Sequence, residues 1–215
     1  MDPSSAHRYL ASFARSALVR QHADTRYDLG PLALRIGLAA IRRIDPIQAT
    51  EEALPALTEQ TGFTALLCIW SDRGPTVVHW QRGPTPFVTN LALGSVLPIS
   101  RSATGAVFVA FLPEAVTAEA IAAEARREDI DRAAFARAVE RARKTHLAFV
   151  DSSVIPGLAA VSAPVLHWNG EAVASVTLIG PDHELAKSSH PAAIALKRLC
   201  NQLSRDFGAQ LKEAA

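Results

Sequence analysis

The stretch Ser102-Ala103-Thr104-Gly105 has residue types that can hold an anion. Two hydroxyls and two small residues stand where a strongly apolar helix, AVFVAFLP, begins. The first turn of a helix presents unpaired N–H groups and the positive end of the helix dipole, so a carboxylate can bind there without a charged side chain. Ser102 acting as an ordinary helix cap explains the same residues equally well. A second candidate lies at the amino terminus. Ser4, Ser5, His7 and Arg8 open a helix with a polar side, Arg15 follows two turns later, and Arg26 stands in a short polar turn. Arg8 has the fork needed to pair with a guanine or to clamp a phosphate. The plainer alternative is that Ser4 or Ser5 caps the helix and the arginines are solvated.

Other chemistries find less support. His79, His167, His183 and His190 show neither HxH nor HExxH spacing, so capping or surface roles are expected rather than metal ligation. There is no GxSxG, and neither Cys68 nor Cys200 sits in an electropositive turn. Asp151, Ser152 and Ser153 near His146 could be drawn as a hydrolase site, but a polar loop beside a strand explains them better. The expectation is no enzyme activity, no metal and no cofactor. The arginines between Arg126 and Arg143 alternate with Glu and Asp and read as a solvated, salt-bridged face.

Composition sets the frame for these sites. With 215 residues, 49% hydrophobic and 20% charged, the chain can bury a core without disulfides or metals. A net charge of +1 argues against a protein coated in nucleic acid, while leaving room for a local basic patch. Cys68 and Cys200 each fall inside apolar segments and are expected to be buried free thiols in a reducing compartment. The start MDPSSAHRYL lacks the apolar run of a signal peptide, and no uninterrupted apolar stretch of about 18 residues occurs. A cytoplasmic protein with no membrane association is expected.

The elements that must position the candidate residues follow from periodicity. Tyr9, Leu10, Phe13, Ala14, Ala17 and Leu18 fall at helical spacing after Pro3-Ser4-Ser5. Residues 21–30 then read as a small polar ribbon, and Pro31 opens a helix that is apolar on several sides and ends in Arg42-Arg43. Another helix starts at Pro46 and runs to Thr61-Gly62. FTALLCIW, residues 63–70, and Val77-Val78-His79-Trp80 predict a hairpin. Residues 83–97 predict a long loop with apolar contacts through Phe87, Leu91 and Leu93. Amphipathic helices are expected at about 117–127 and 131–144, with their charges outward. A strand is expected from His146 to Val150, then a hairpin of Leu158–Leu166 and Ala172–Ile179 across Asn169-Gly170, and a last helix from Pro191 to Leu211. Strands on both sides of a helical insert imply an α+β domain with an antiparallel sheet flanked by helices.

Three stretches, in order, carry a family resemblance: SSAHRYLASFARSALVRQHADTRYDLGPLALRIGLA, LPISRSATGAVFVAFLP and GLAAVSAPVLHWNGEAVASVTLIGP. Together they resemble the recognition helix, wing and linker helix, the helix-opening segment at the effector, and the hallmark hairpin of IclR-type regulators. The resemblance spans nearly the whole chain. It implies a partial winged helix-turn-helix (residues 1–30), a linker helix (31–45) and a GAF-like effector-binding domain (46–215). The implied partners are operator DNA, a small organic acid, and further copies of the chain in a homodimer or homotetramer. A complete winged helix of the family has two more helices before the recognition helix, whereas Met1 stands where that helix begins. The expectation is that coding sequence continues upstream, with impaired DNA binding as the second reading. Direct DNA binding by these 215 residues is expected to be weak.

The resemblance also implies which residues meet each ligand. Ser4, Ser5, His7, Arg8 and Arg26 would face DNA. Family members that sense small keto-acids surround the ligand with an acidic residue, a cysteine and two serines, and the matching positions here are Val150, Ala160, Thr177 and Ile179. Only Thr177 keeps a hydroxyl, so a tiny polar ligand would find few partners and an aromatic or otherwise hydrophobic carboxylate is expected. Its acid group would sit at Ser102, Ala103, Thr104 and Gly105, and its body against Phe87, Leu91, Leu93, Leu158 and Ala160. A hollow beside Thr104 is therefore required. The alternative function is a stand-alone small-molecule sensor that pairs with complete relatives and has lost direct DNA binding.

Overall fold

The computed structural model describes residues 3–41 and 43–211, which divide into two compact units, one ending at Asp45 and one beginning at Pro46. The first contains α1 (Pro3–Arg15), β1 (Val19–Gln21), β2 (Tyr27–Leu29) and α2 (Pro31–Ile41). Helix α1 stops because Ala17 turns to φ +58°. The N–H of Leu18 then donates to Phe13 O at 2.9 Å and that of Ala17 to Ala14 O at 3.0 Å, which satisfies the last carbonyls. β1 and β2 pair antiparallel with Val19 opposite Leu29. Gly30 closes the ribbon onto the helix end: a Cβ there would lie 2.2 Å from the Ala17 carbonyl oxygen. In this unit Tyr9, Leu34, Ile36 and Leu38 are at least half exposed.

The second unit contains α3 (Pro46–Thr61), β3 (Thr64–Ser71), β4 (Gly74–Gln81), α4 (Ala103–Phe111), α5 (Glu114–Ala125), α6 (Arg132–Thr145), β5 (Ala148–Asp151), β6 (Ala159–Leu166), β7 (Ala172–Gly180) and α7 (Pro191–Asp206). The strands form one antiparallel sheet in the order β4-β3-β7-β6-β5. Every residue of β6 is buried, because helices cover both faces of the sheet. Alternation then sorts the side chains. Ala65, Leu67, Val161, Ala163, Val165, Val176 and Leu178 pack against Leu54 and Leu57 of α3 and Leu196 and Cys200 of α7. The opposite face carries Leu66, Cys68, Ala160 and Ile179, with Ser162 and Thr177 at the same parity. Helix α4 covers that face. None of the described helices is long and apolar enough to cross a membrane.

Three element boundaries differ from the expectation. The strand after α6 starts at Ala148, since His146 adopts φ +59° and donates its N–H to Ala142 O at 2.8 Å, which spends it as the helix cap. The last helix ends at Asp206 rather than Leu211, with Gly208 at φ +85° just beyond. The helix expected at about 117–127 begins earlier, at Glu114, directly after Pro113.

His146 lies edge-on to Phe111, with ring centroids 5.1 Å apart. Burial holds its pKa below the ordinary histidine value of 6.5, and the charge of Lys197 adds to this, against a hydrogen bond to Asn201. A histidine depressed in the fold binds protons more readily when unfolded. Its contribution is therefore complete above the unfolded value and is lost as pH falls through and below 6.5. Asn also tolerates left-handed backbone. Urea unfolding from pH 8 to pH 5 is expected to show a larger loss of stability on acidification for the wild type than for His146→Asn.

Candidate functional site

Register brings the candidate ligand residues to one place. Thr177 of β7 lies opposite Leu66 of β3 and Ser162 of β6, while Ala160 lies opposite both Ile179 and Val150. Above them, α4 begins at Ala103, capped by Ser102, whose Oγ accepts the Gly105 N–H at 2.9 Å and donates to the Pro98 carbonyl. Between helix end and sheet is a hollow of about 30 Å³. It is lined by Ser102, Ala103, Thr104, Val150, Leu158, Ala160, Thr177 and Ile179, together with Leu66, Leu91, Leu97, Val154 and Ile155. Among the described residues the N–H groups of Ala103 and Thr104 have no acceptor. The arrangement offers two backbone donors at one end of an apolar chamber, the chemistry of a carboxylate with a hydrocarbon body.

The side-chain polar atoms of this hollow are spoken for. Thr104 Oγ1 lies 2.8 Å from Thr177 Oγ1, which donates to Ser162 Oγ at 2.9 Å. Ser162 Oγ is 2.6 Å from Ser175 Oγ, and Ser175 reaches the Ala163 carbonyl at 3.3 Å. Ser162 and Ser175 have no exposed surface and do not line the hollow. Burial pushes the Cys68 thiol up to about 12, so it stays protonated, with Thr104 as its hydrogen-bond partner. No sequence pattern marked Ser162 or Ser175, because one serine inside an apolar strand resembles any other tolerated small residue. The periodicity of the helix expected at about 117–127 places Glu124 on an outward charged face. Instead it accepts the Ile99 N–H, the Ser100 N–H at 2.8 Å and the Ser100 hydroxyl, fastening the segment that leads into α4.

Three of the expected ligand residues lie elsewhere. Phe87 packs beside Trp80, with ring centroids 6.5 Å apart, in an outer depression. Leu93 also lines that depression and is 66% exposed, because it sits in a turn closed by Ser95 N–H to Ala92 O at 3.0 Å. Of the three loop residues, Leu91 alone reaches the hollow, and it walls both spaces. Gly105 has a packing role: a Cβ on it would lie 2.1 Å from the Ile99 carbonyl oxygen.

The amino-terminal candidates remain on the surface of their own unit. Ser5 accepts a bond from the Arg8 guanidinium at 3.3 Å, and His7 and Arg8 are exposed on α1. The side chain of Ser4 and the whole of Arg42 lie outside the described residues. At the ribbon tip Arg26 pairs with Asp24 at 2.6 Å, and Arg20 pairs with Asp28 at 3.1 Å. The Arg26 bond is the main cause that lowers the Asp24 pKa, and the Arg20 bond does the same for Asp28. Asp151 pairs with His183 at 2.6 Å and not with His146, so the drawn hydrolase grouping does not assemble.

Residues 38–205 match the family model described as the C-terminal domain of the bacterial transcriptional regulator IclR. The crystal structure of Pseudomonas aeruginosa HmgR is 34% identical and aligns with a TM-score of 0.89 over 99% of this chain and 87% of that one. The glycerol operon regulatory protein of Streptomyces griseus is 28% identical over 215 residues, covering 95% of this chain and 84% of its own length. The Agobacterium tumefaciens repressor BlcR, 18% identical, shares the fold with a TM-score of 0.78 over 98% of this chain and 86% of its own. The sheet capped by α4, the matched residues and these likenesses place the chain in the IclR family of bacterial transcriptional regulators.

Proposed function

We propose that the chain is a ligand-responsive, DNA-binding transcriptional regulator that senses an organic acid with a substantial apolar body. The observation that carries this reading is the hollow at Thr104, with hydrocarbon walls and two unpaired N–H groups at one end. The acid group sits on the Ala103 and Thr104 N–H groups and the body lies against Leu91, Leu158 and Ala160. Val150, Ala160 and Ile179 offer no side-chain polar atoms, so a small polar acid leaves most of its oxygens unpaired. A space of about 30 Å³ admits one water-sized body. A larger ligand must therefore displace Leu91 or the segment 152–157 that carries Val154 and Ile155. That displacement is the differential state through which occupancy can alter the rest of the molecule.

Residues 1–30 serve as the wing and recognition helix, 31–45 as the linker, and 46–215 as the effector-binding domain. Support comes from charge: residues 1–45 carry seven arginines against four aspartates, while the remainder of the chain has 15 basic and 17 acidic residues. Arg26 is 83% exposed, and an exposed ion pair such as that with Asp24 is weak enough to be exchanged for a phosphate. Leu34, Ile36 and Leu38 of α2 are 66%, 54% and 50% exposed, a surface suited to a second copy of the chain.

Calorimetry with glyoxylate and with a series of benzoates tests the ligand. Benzoates are expected to bind at least tenfold more tightly, and tighter glyoxylate binding would overturn the apolar-chamber argument. For the DNA head, Arg8→Ala is expected to weaken binding to DNA from upstream of the protein's own gene and to reduce the slope of log affinity against log salt by about one. Unchanged affinity and slope would remove Arg8 from the interface. Light scattering after chromatography is expected to report a dimer or tetramer, and Leu34→Glu with Leu38→Glu is expected to lower that mass. A monomeric wild type would refute the assembly.

A further inference from the structure

The hydroxyls beside the hollow form a chain whose proton directions can be counted. Each hydroxyl has one hydrogen to give and two lone pairs to receive. The hydrogen of Thr177 goes to Ser162, 2.9 Å away. Thr177 cannot then donate to Thr104, so the 2.8 Å contact between them is donated by Thr104. The hydrogen of Thr104 is thereby spent on a neighbour inside the protein. Further along, Ser175 donates to the Ala163 carbonyl, which leaves Ser162 to donate to Ser175 at 2.6 Å. In this arrangement the hydroxyl hydrogens of Thr104, Thr177, Ser162 and Ser175 point away from the hollow, and the Cys68 thiol meets Thr104 from within the protein.

We propose that the effector presents an O–H or N–H donor to Thr104, and that Ser162, which never touches the hollow, sets this requirement. The inference rests on the hollow being the effector site and narrows the ligand to an organic acid carrying a hydroxyl or amino group in addition to its carboxylate. Apart from Ser102 and Thr177, whose hydroxyls are engaged with Pro98 and Ser162, the side chains elsewhere in the walls are hydrocarbon. A ligand ether, carbonyl or halogen placed against the Thr104 oxygen meets a lone pair with no hydrogen between, and its desolvation goes uncompensated. A ligand hydroxyl makes the missing bond. The backbone donors of Ala103 and Thr104 take the carboxylate, so the two polar groups of the ligand are sorted by the sign of what they meet. Removing the Ser162 hydroxyl deprives Thr177 of its acceptor. Thr177 can then donate to Thr104, whose hydrogen is released from that bond to turn to the hollow or to Cys68 Sγ, a weak acceptor.

The test compares each of the three hydroxybenzoates with the matching fluorobenzoate, and phenol with fluorobenzene, by calorimetry on the full chain and on Ser162→Ala. At least one hydroxybenzoate is expected to bind the wild type about tenfold or more tightly than its fluoro analogue, with that preference falling severalfold in Ser162→Ala. Equal affinities in the wild type, or an undiminished preference in Ser162→Ala, would overturn the inference. If the benzoates fail to bind while phenol still exceeds fluorobenzene, the carboxylate reading falls and the donor requirement stands. If no aromatic probe binds, both fall. Should Ser162→Ala lose its cooperative unfolding, Thr104→Val replaces it: the preference is expected to vanish there, and its persistence would be equally fatal.

Discussion

The seating of α4 on the sheet is the constraint on which the rest depends. One buried contact, Thr104 Oγ1 to Thr177 Oγ1 at 2.8 Å, ties the first turn of the helix to the middle strand of the five. Next to it, Gly105 has no Cβ, which lets the backbone at Ile99 pass directly against the helix. Glu124 then fastens the approach to that helix from outside by taking three donors from Ile99 and Ser100. A partly buried carboxylate that takes several donors is a strong fastening, because leaving those donors unpaired would cost more than the bonds themselves yield.

From this seating follows the character of the chamber beneath. A helix lifted slightly from a sheet leaves space, and the side chains under it decide what that space can hold. Here the even-numbered face of β6 and the odd-numbered face of β7 point toward α4, bringing Ala160, Thr177 and Ile179 together. The hydroxyls among them are satisfied by one another, and among the described residues no buried side-chain polar atom lacks a partner. The side-chain polar atoms are thus committed to one another, and the donors left over at the chamber are backbone N–H groups of the first turn of α4.

Much of the fold was legible because its signals are local. Alternation in the strands, the Asn169-Gly170 turn, Pro31, Pro46 and Pro191 at helix starts, and the apolar run after Ser102 each act over a few residues. The misreadings were of a different kind. Phe87 and Leu93 look as eligible as Leu91 in a loop without periodicity, and a turn at 92–95 sends Leu93 outward. Amphipathic patterning puts the charges of α5 on an outer face, yet Glu124 turns in, since a helix rich in Ala with spaced Glu carries no mark of which carboxylate has donors waiting.

By itself the sequence determined the class of the fold, the order of its elements and the family, because periodicity, turn chemistry and an ordered set of motifs survive without knowledge of contacts. The resemblance named Val150, Ala160, Thr177 and Ile179 as neighbours, and their types are mostly apolar, but that they share one hollow depends on strand register. Only the tertiary structure decided which hydroxyls meet and which proton goes where. Ser162 and Ser175 lie 13 positions apart, and Thr104 is 73 from Thr177. Such partners are joined by strand register and helix seating, and a hydrogen bond a few ångströms long depends on both at once.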